Sequence, residues 1–148
     1  MTALIRPLMP DDRSAWEWLW AGYQDFYGIV VPRETTELTW NRFGDEREPM
    51  HVLGAFDPES RLVGIVHVVF HRSTALPDWS CYLQDLFVDQ SCRGRGYGAA
   101  LIEAVADLAR TNRAGRLYWM TDEHNLTARR LYDQVAARSG FIQYRKSL

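Results

Sequence analysis

The spacing of apolar residues changes along the chain, and each change predicts an element. Residues 4–8 form a short apolar run punctuated by Pro7 and Pro10, as a brief strand would be. Asp11 and Asp12 suit a helix start, and Trp16, Leu19, Trp20, Tyr23 and Tyr27 then recur at helical spacing until Gly28. Pro32, at a first-turn position, opens a second helical stretch to about residue 43, in spite of Thr35, Thr36 and Thr39. Residues 51–56 and 62–71 flank the turn Asp57-Pro58-Glu59-Ser60 and predict a hairpin. Residues 79–88 read as another strand. Leu101, Ile102, Val105, Leu108 and Ala109 mark an amphipathic helix, and residues 117–120 a short strand. Asn125 is placed to cap a helix with Ala128, Leu131, Tyr132 and Val135 on its apolar face. A last strand is expected at residues 141–144. The order βααβββαβαβ is that of an α/β (α+β) fold whose helices cross over a mixed sheet in the second half.

Composition narrows this reading. At 148 residues the chain fits one domain, 1–148, large enough to bury a core without a disulfide or metal staple. Aromatic content of 13% excludes intrinsic disorder. A net charge of −2 argues against a general nucleic-acid binder. That balance hides a split. Residues 1–91 carry 7 basic and 14 acidic side chains, and residues 92–148 carry 10 and 5. An acidic front suits a cation and a basic back a polyanion, or the two are clustered solvated charges. Cys81 and Cys92 give neither a disulfide framework nor metal-ligand spacing, so no metal is expected and a reducing cytoplasm is the natural compartment. Residues 1–10 lack the apolar core of a signal peptide. The longest apolar stretch, 62–70, contains Gly64 and His67 and is too short to span a bilayer.

Chemistry concentrates in residues 85–100, Asp85-Leu86-Phe87-Val88-Asp89-Gln90-Ser91-Cys92-Arg93-Gly94-Arg95-Gly96-Tyr97-Gly98-Ala99-Ala100. A strand runs into a glycine loop, and a helix begins at once. Small residues admit close approach of a ligand, and the helix start offers unpaired N–H groups at the positive end of its dipole. This is a phosphate cradle, to which Arg93 and Arg95 add charge-assisted bonds. Gly94-x-Gly96-x-x-Ala99 also satisfies the dinucleotide-binding fingerprint. That fingerprint belongs in a first βαβ unit, with an acid about 20 positions on. Here residues 116–120 supply no acid, and too little chain follows for a nucleotide-binding half.

Arg93-x-x-Gly96-x-Gly98 after a strand ending in Phe87-Val88 resembles the pyrophosphate-binding motif of the GNAT superfamily of acyl-CoA-dependent N-acetyltransferases. The resemblance covers almost the whole chain. It takes in Ile5-Arg6-Pro7, the aromatic first helix, the hairpin and Asn125-x-x-Ala128-x-x-Leu131-Tyr132. Residues 82–88 are most similar to the diamine, polyamine and histone-type branches. The family resemblance implies a mixed central sheet of about 6–7 strands flanked by about four helices. It further implies acetyl-CoA as donor, a small amine, polyamine or basic peptide as acceptor, and a homodimer. By this resemblance the backbone of Leu86, Phe87 and Val88 pairs with the pantetheine arm like an added strand. The amides of Gly94, Arg95, Gly96, Tyr97, Gly98 and Ala99 hold the pyrophosphate, Asn125 contacts the arm, and Tyr132 lies beside the sulfur.

General chemistry points the same way. Acyl transfer from a thioester passes through an oxyanion that needs a preorganised donor, such as an N–H on a strand splayed from its neighbour. The leaving thiolate benefits from an acid, which a Tyr hydroxyl with a pKa near ~10 can be. Tyr132 is that acid, or a core Tyr bonded to a backbone carbonyl. An ammonium with a pKa near ~10.4 must also lose a proton. Polyamine acetyltransferases carry a Glu where Gln84 stands, and Gln cannot take up a proton. Asp85 is the nearest carboxylate, although strand alternation turns it to the face opposite Gln84. Three routes stay open: Asp85 through water, another carboxylate such as Glu123, or an amine that arrives neutral.

Tyr23, Tyr27 and Trp40 are candidates to wall an acceptor pocket with Gln84, and Asp25, Glu34 and Glu37 to attract a cation. Trp16, Leu19 and Trp20 are expected in the core. His67 and His71 share a strand face but lie roughly 13 Å apart, too far for a shared metal, and are read as surface or acceptor-groove residues. Cys92 is a nucleophile candidate at a helix start, or a small loop residue, and His124 a solvated loop residue. A non-catalytic acyl-CoA-binding module is the alternative function, supported by Gln84.

Overall fold

The computed structural model describes residues 3–148; Met1 and Thr2, at the start of the stretch read for a leader, lie outside the described residues. The elements run β1 (Leu4–Pro7), α1 (Arg13–Tyr27), α2 (Arg33–Phe43), β2 (Met50–Phe56), β3 (Leu62–Arg72), β4 (Trp79–Val88), α3 (Tyr97–Thr111), β5 (Arg116–Tyr118) and α4 (Leu126–Val135). Two short 3-10 turns precede α1 and α3. The strands pair in chain order, β1-β2-β3-β4-β5. The first three pairings are antiparallel: β1 reaches β2 through α1 and α2, whereas β2–β3 and β3–β4 are joined without a helix; β5 lies parallel to β4, so a crossover is required and α3 supplies it. Among the described residues no helix is long and apolar enough to cross a membrane.

Two apolar cores form, one on each face of the sheet. Along most of β3, even positions (Val66, Val68, Phe70) pack with Tyr97, Leu101, Ile102 and Val105 of α3. Odd positions (Ile65, His67) face Trp16, Leu19 and Trp20 of α1. Burial on both faces explains why β3 reads as an almost unbroken Val/Ile run.

A bulge in β4 has the largest consequence for function. His67 opposes Asp85 and Val68 opposes Leu83, so Gln84 is the extra residue with no partner across the strand pair. Side chains alternate with period two, so one inserted residue exchanges the faces of everything beyond it. Cys81 and Leu83 point into the α3 core; past the bulge Leu86 and Val88 do so, and Asp85 and Phe87 turn toward α1. Without the bulge Asp85 would share the face of Cys81 and Leu83. The second feature is an opening: β5 pairs with β4 only from Ser80 to Tyr82. Among the described residues, no strand covers the edge of β4 that faces away from β3 from Leu83 to Val88.

The expected strand at residues 141–144 is absent, and five strands stand where 6–7 were expected. Phe141, Ile142 and Tyr144 are 92%, 74% and 87% exposed, and although Gln143 touches Met120 the segment makes no strand pairing among the described residues. A run of β-forming residues becomes a strand only where a partner edge receives it.

Candidate functional site

The glycine loop runs from the end of β4 into α3. Gly94 and Gly96 have φ of +76° and +87°, where an L side chain is strained, and a Cβ on either would meet nothing within 4 Å. These glycines therefore serve backbone conformation and leave open space in front of the first turn of α3, whose N-cap is Gly96. Gly98 has another purpose: a Cβ there would lie 3.3 Å from Leu131 of α4, so its absence lets the two helices approach. The Tyr97 side chain, 1% exposed, belongs to the core, which leaves only its backbone for the loop. Arg93 folds back. Its Nε donates to the Val88 carbonyl at 3.1 Å, and its guanidinium sits over Phe26 and Phe87. Arg95 and the loop glycines are exposed.

The open edge of β4 is flanked by the end of α1 and by α4. Asn125 caps α4 through its Oδ1, which accepts from the Ala128 amide at 3.3 Å. Burial raises the Tyr27 phenol, and the nearby Asn125 side chain partly offsets that. Tyr132 is mostly buried edge-on against Trp119, 5.5 Å between ring centres. Burial, with a contribution from Tyr27, pushes the Tyr132 hydroxyl up to about 12, so it keeps its proton at neutral pH.

Asp85 lies where the bulge points it, on the α1 face. His67 Nδ1 approaches its Oδ2 at 2.9 Å, and the Tyr23 phenol lies near enough to feel the same carboxylate. Burial, then the Asp85 charge, holds the Tyr23 phenol well above its ordinary range. Among the described residues no arginine or lysine is in ion-pair distance of Asp85. Further along the same face Tyr82 stacks on Tyr118 at 4.8 Å, and the Tyr118 hydroxyl meets His71 Nε2 at 2.6 Å. Burial, then the Asp85 charge, raises the Tyr82 phenol. A carboxylate beside phenols, with no arginine or lysine in ion-pair distance among the described residues, is chemically suited to a cationic group.

The structure thus brings Tyr23, Asp85 and Tyr82 together, and Tyr27 with Asn125 and Tyr132. It does not bring in the rest. Gln84 is exposed on the bulge, and Glu123 and His124 are exposed in a loop. Asp25 and Glu34 are solvated, Glu37 pairs with Arg13, and Trp40 packs on Trp16. Cys92 is 2% exposed within the α3-side core, which removes it as a nucleophile. His67, read from the sequence as a surface or groove residue, is 3% exposed and caged by Trp16, Trp20 and Phe43. Sequence reasoning missed Tyr82 and Tyr118 as neighbours of the site, and the burial of His67. Only the register of β3, β4 and β5 brings them there, although aromatic residues at 82 and 118 were a visible hint.

Comparison with known proteins gives family and fold. The profile of the Acetyltransferase (GNAT) family matches residues 13–136. The chain is 32% identical over 145 residues to D-amino-acid N-acetyltransferase HPA3 of Saccharomyces cerevisiae (97% of this chain, 90% of that protein). It is 41% identical over 142 residues to the uncharacterised N-acetyltransferase YhfO of Bacillus subtilis (95% and 94%). In fold it is similar to the ribosomal-protein-alanine N-acetyltransferase of Brucella melitensis biovar Abortus 2308. That likeness has a TM-score of 0.79 and 23% identity over 98% of this chain and 99% of that one.

Proposed function

The chain belongs to the GNAT acetyltransferase family, and from that premise we propose that it moves the acetyl group of acetyl-CoA to the primary amine of a small cationic molecule. The same reading treats residues 1–148 as one catalytic domain, acting by direct attack of the amine in a ternary complex. Bound acetyl-CoA supplies an acetyl thioester, and the residues present fit it. The amides from Gly94 to Ala99 and the start of α3 receive the pyrophosphate. The open edge at Leu86, Phe87 and Val88 offers backbone groups to the pantetheine arm, with Asn125 opposite, and one of its amides polarises the thioester carbonyl. Tyr132 gives its proton to the departing sulfur, and Asp85 takes the proton that the ammonium must lose before attack. Tyr23 and Tyr27 line the acceptor side; Gln84 does so only through the bulge that aims Asp85.

The observation that carries this reading is the half-buried Asp85 carboxylate, hydrogen-bonded to His67 beside the Tyr23 phenol, with no arginine or lysine in ion-pair distance among the described residues. An uncompensated carboxylate in a partly desolvated groove favours an ammonium. For the acceptor itself, polyamines and basic peptides come from the resemblance of residues 82–88, and amino acids from the name of the yeast relative. The test is thiol release from acetyl-CoA with polyamines, D- and L-amino acids and a basic peptide, products checked by mass spectrometry. Acetylated product from at least one class is expected. Tight CoA binding with no turnover on any acceptor would instead favour a non-catalytic acyl-CoA-binding module.

Cytosolic residence and a homodimer belong to the same proposal. Cys81 and Cys92 are free and buried, as suits a reducing compartment. The exposed Phe141, Ile142 and Tyr144 and the short edge strand β5 support a second copy at the C-terminal segment. Light scattering that finds only monomer across a wide concentration range would remove the dimer.

A further inference from the structure

The mechanism above does not use His67, one of two buried polar side chains among the described residues. His67 is 3% exposed, and both of its ring nitrogens are engaged. Trp16, 0% exposed, brings its indole Nε1 to 2.9 Å from His67 Nε2. An indole nitrogen can only donate, so Nε2 must be the acceptor and cannot carry a proton. The ring proton of the neutral imidazole therefore sits on Nδ1, where it points at Asp85 Oδ2, 2.9 Å away. Trp16 thus dictates the tautomer, and the tautomer dictates that His67 donates to Asp85. The rings of Trp20 and Phe43 lie 4.9 and 5.1 Å from the imidazole and close the remaining space around it.

We propose that Trp16–His67 is a positioning relay for the acceptor carboxylate, in which the indole fixes the imidazole and the imidazole fixes Asp85. The inference rests on the reading of Asp85 as the group that meets the amine. His67 is not itself a base, because its only unprotonated nitrogen is capped by an indole inside the core. Its contribution is orientation. Of the two carboxylate oxygens, Oδ2 accepts from His67, and the Asp85 side chain keeps 14% of its surface exposed. The bulge at Gln84 belongs to the same device, since it places His67 and Asp85 directly opposite each other on one face. A carboxylate so restrained loses little rotamer freedom when the amine arrives.

Three variants and one spectrum test this. Asn at position 67 can present its side-chain NH2 near the place of Nδ1–H, whereas Leu of similar size cannot donate. His67→Leu is expected to lower kcat/KM for the amine by about 10–100-fold, the range typical of lost orienting partners, with KM for acetyl-CoA unchanged. His67→Asn should recover most of that loss, and Asp85→Asn should be at least as impaired as His67→Leu. Nitrogen-15 NMR of the histidine-labelled wild-type protein should show His67 protonated on Nδ1 and bare on Nε2 at neutral pH. That spectrum needs no turnover, so it remains decisive if a variant fails to fold. Equal losses in His67→Leu and His67→Asn, with both folded, would mean a packing role and overturn the proposal. So would an Nε2–H tautomer. If Asp85→Asn turns over like the wild type, the reading of Asp85 fails and the relay falls with it. A wild-type chain silent toward every amine overturns the proposed function itself, a result recognisably different from any of these.

Discussion

Replacing Gly96 by alanine separates two roles that glycine has in the loop. At φ +87° an alanine pays the left-handed penalty of about 1–2 kcal/mol. For a chain of this size that lowers Tm by roughly 2–8 °C. No steric cost is added in the free protein, because the new Cβ would meet nothing within 4 Å. The same open space is where the proposal seats the pyrophosphate, so the methyl group should also weaken CoA binding. A ligand at one hundred times its Kd stabilises by about 2.7 kcal/mol, and each tenfold loss of affinity removes about 1.4. Gly28→Ala is the matched control: Gly28 caps α1 at φ +65° with equally empty surroundings. Thermal denaturation with and without CoA reads both terms. Both variants should melt lower than the wild type, but only Gly96→Ala should lose half or more of the CoA-induced rise. If both keep the full rise, the phosphate does not sit against this loop and the reasoning is refuted.

Three further outcomes follow from the same structure. Tyr132→Phe should cut turnover well below wild type while CoA affinity, read by calorimetry, stays nearly unchanged; wild-type turnover would remove Tyr132 from the mechanism. The phenol of Tyr132 also bears on alkaline stability: its folded value of about 12 exceeds its ordinary one near 10, so the unfolded chain loses this proton first. Its contribution is whole below pH 10 and is lost as pH rises toward 12, on the order of 2–3 kcal/mol. The fall of Tm with pH over that window should be shallower in Tyr132→Phe, and equal slopes would contradict the burial argument. Gly98→Val should press on Leu131, cost about 1–3 kcal/mol by overpacking, and shift α4 with Asn125 and Tyr132. Activity should then fall more than the loss of stability explains; an unchanged kcat/KM would show that α4 does not position the site.

Much of this was legible in the sequence where local signals and tertiary context agree. Periodicity located β2, β3, β4 and all four helices, and Gly28, Asn125 and the glycine loop marked their junctions as capping chemistry requires. What stayed hidden depends on pairing between distant segments. Strict alternation along residues 79–88 predicts Asp85 opposite Gln84, and nothing local marks Gln84 as a bulge; the register against β3 creates it. For the same reason His67 could not be told from a surface histidine until Trp16 was seen to reach its Nε2, 51 residues away in sequence. Phe141 to Tyr144 shows the opposite failure, a strand-like composition that no strand among the described residues pairs with. Arg93 satisfies the motif, yet its side chain also serves Val88, Phe26 and Phe87, which charge alone did not suggest.

The central claim is that an amine held by Asp85 takes the acetyl group directly, with no acyl-enzyme between. Initial velocities measured over a grid of acetyl-CoA and acceptor concentrations test it most directly. Double-reciprocal lines that intersect, with one N-acetylated product formed per thiol released, are what the site predicts. Parallel lines, together with acetyl found covalently on the protein in the absence of amine, would contradict it.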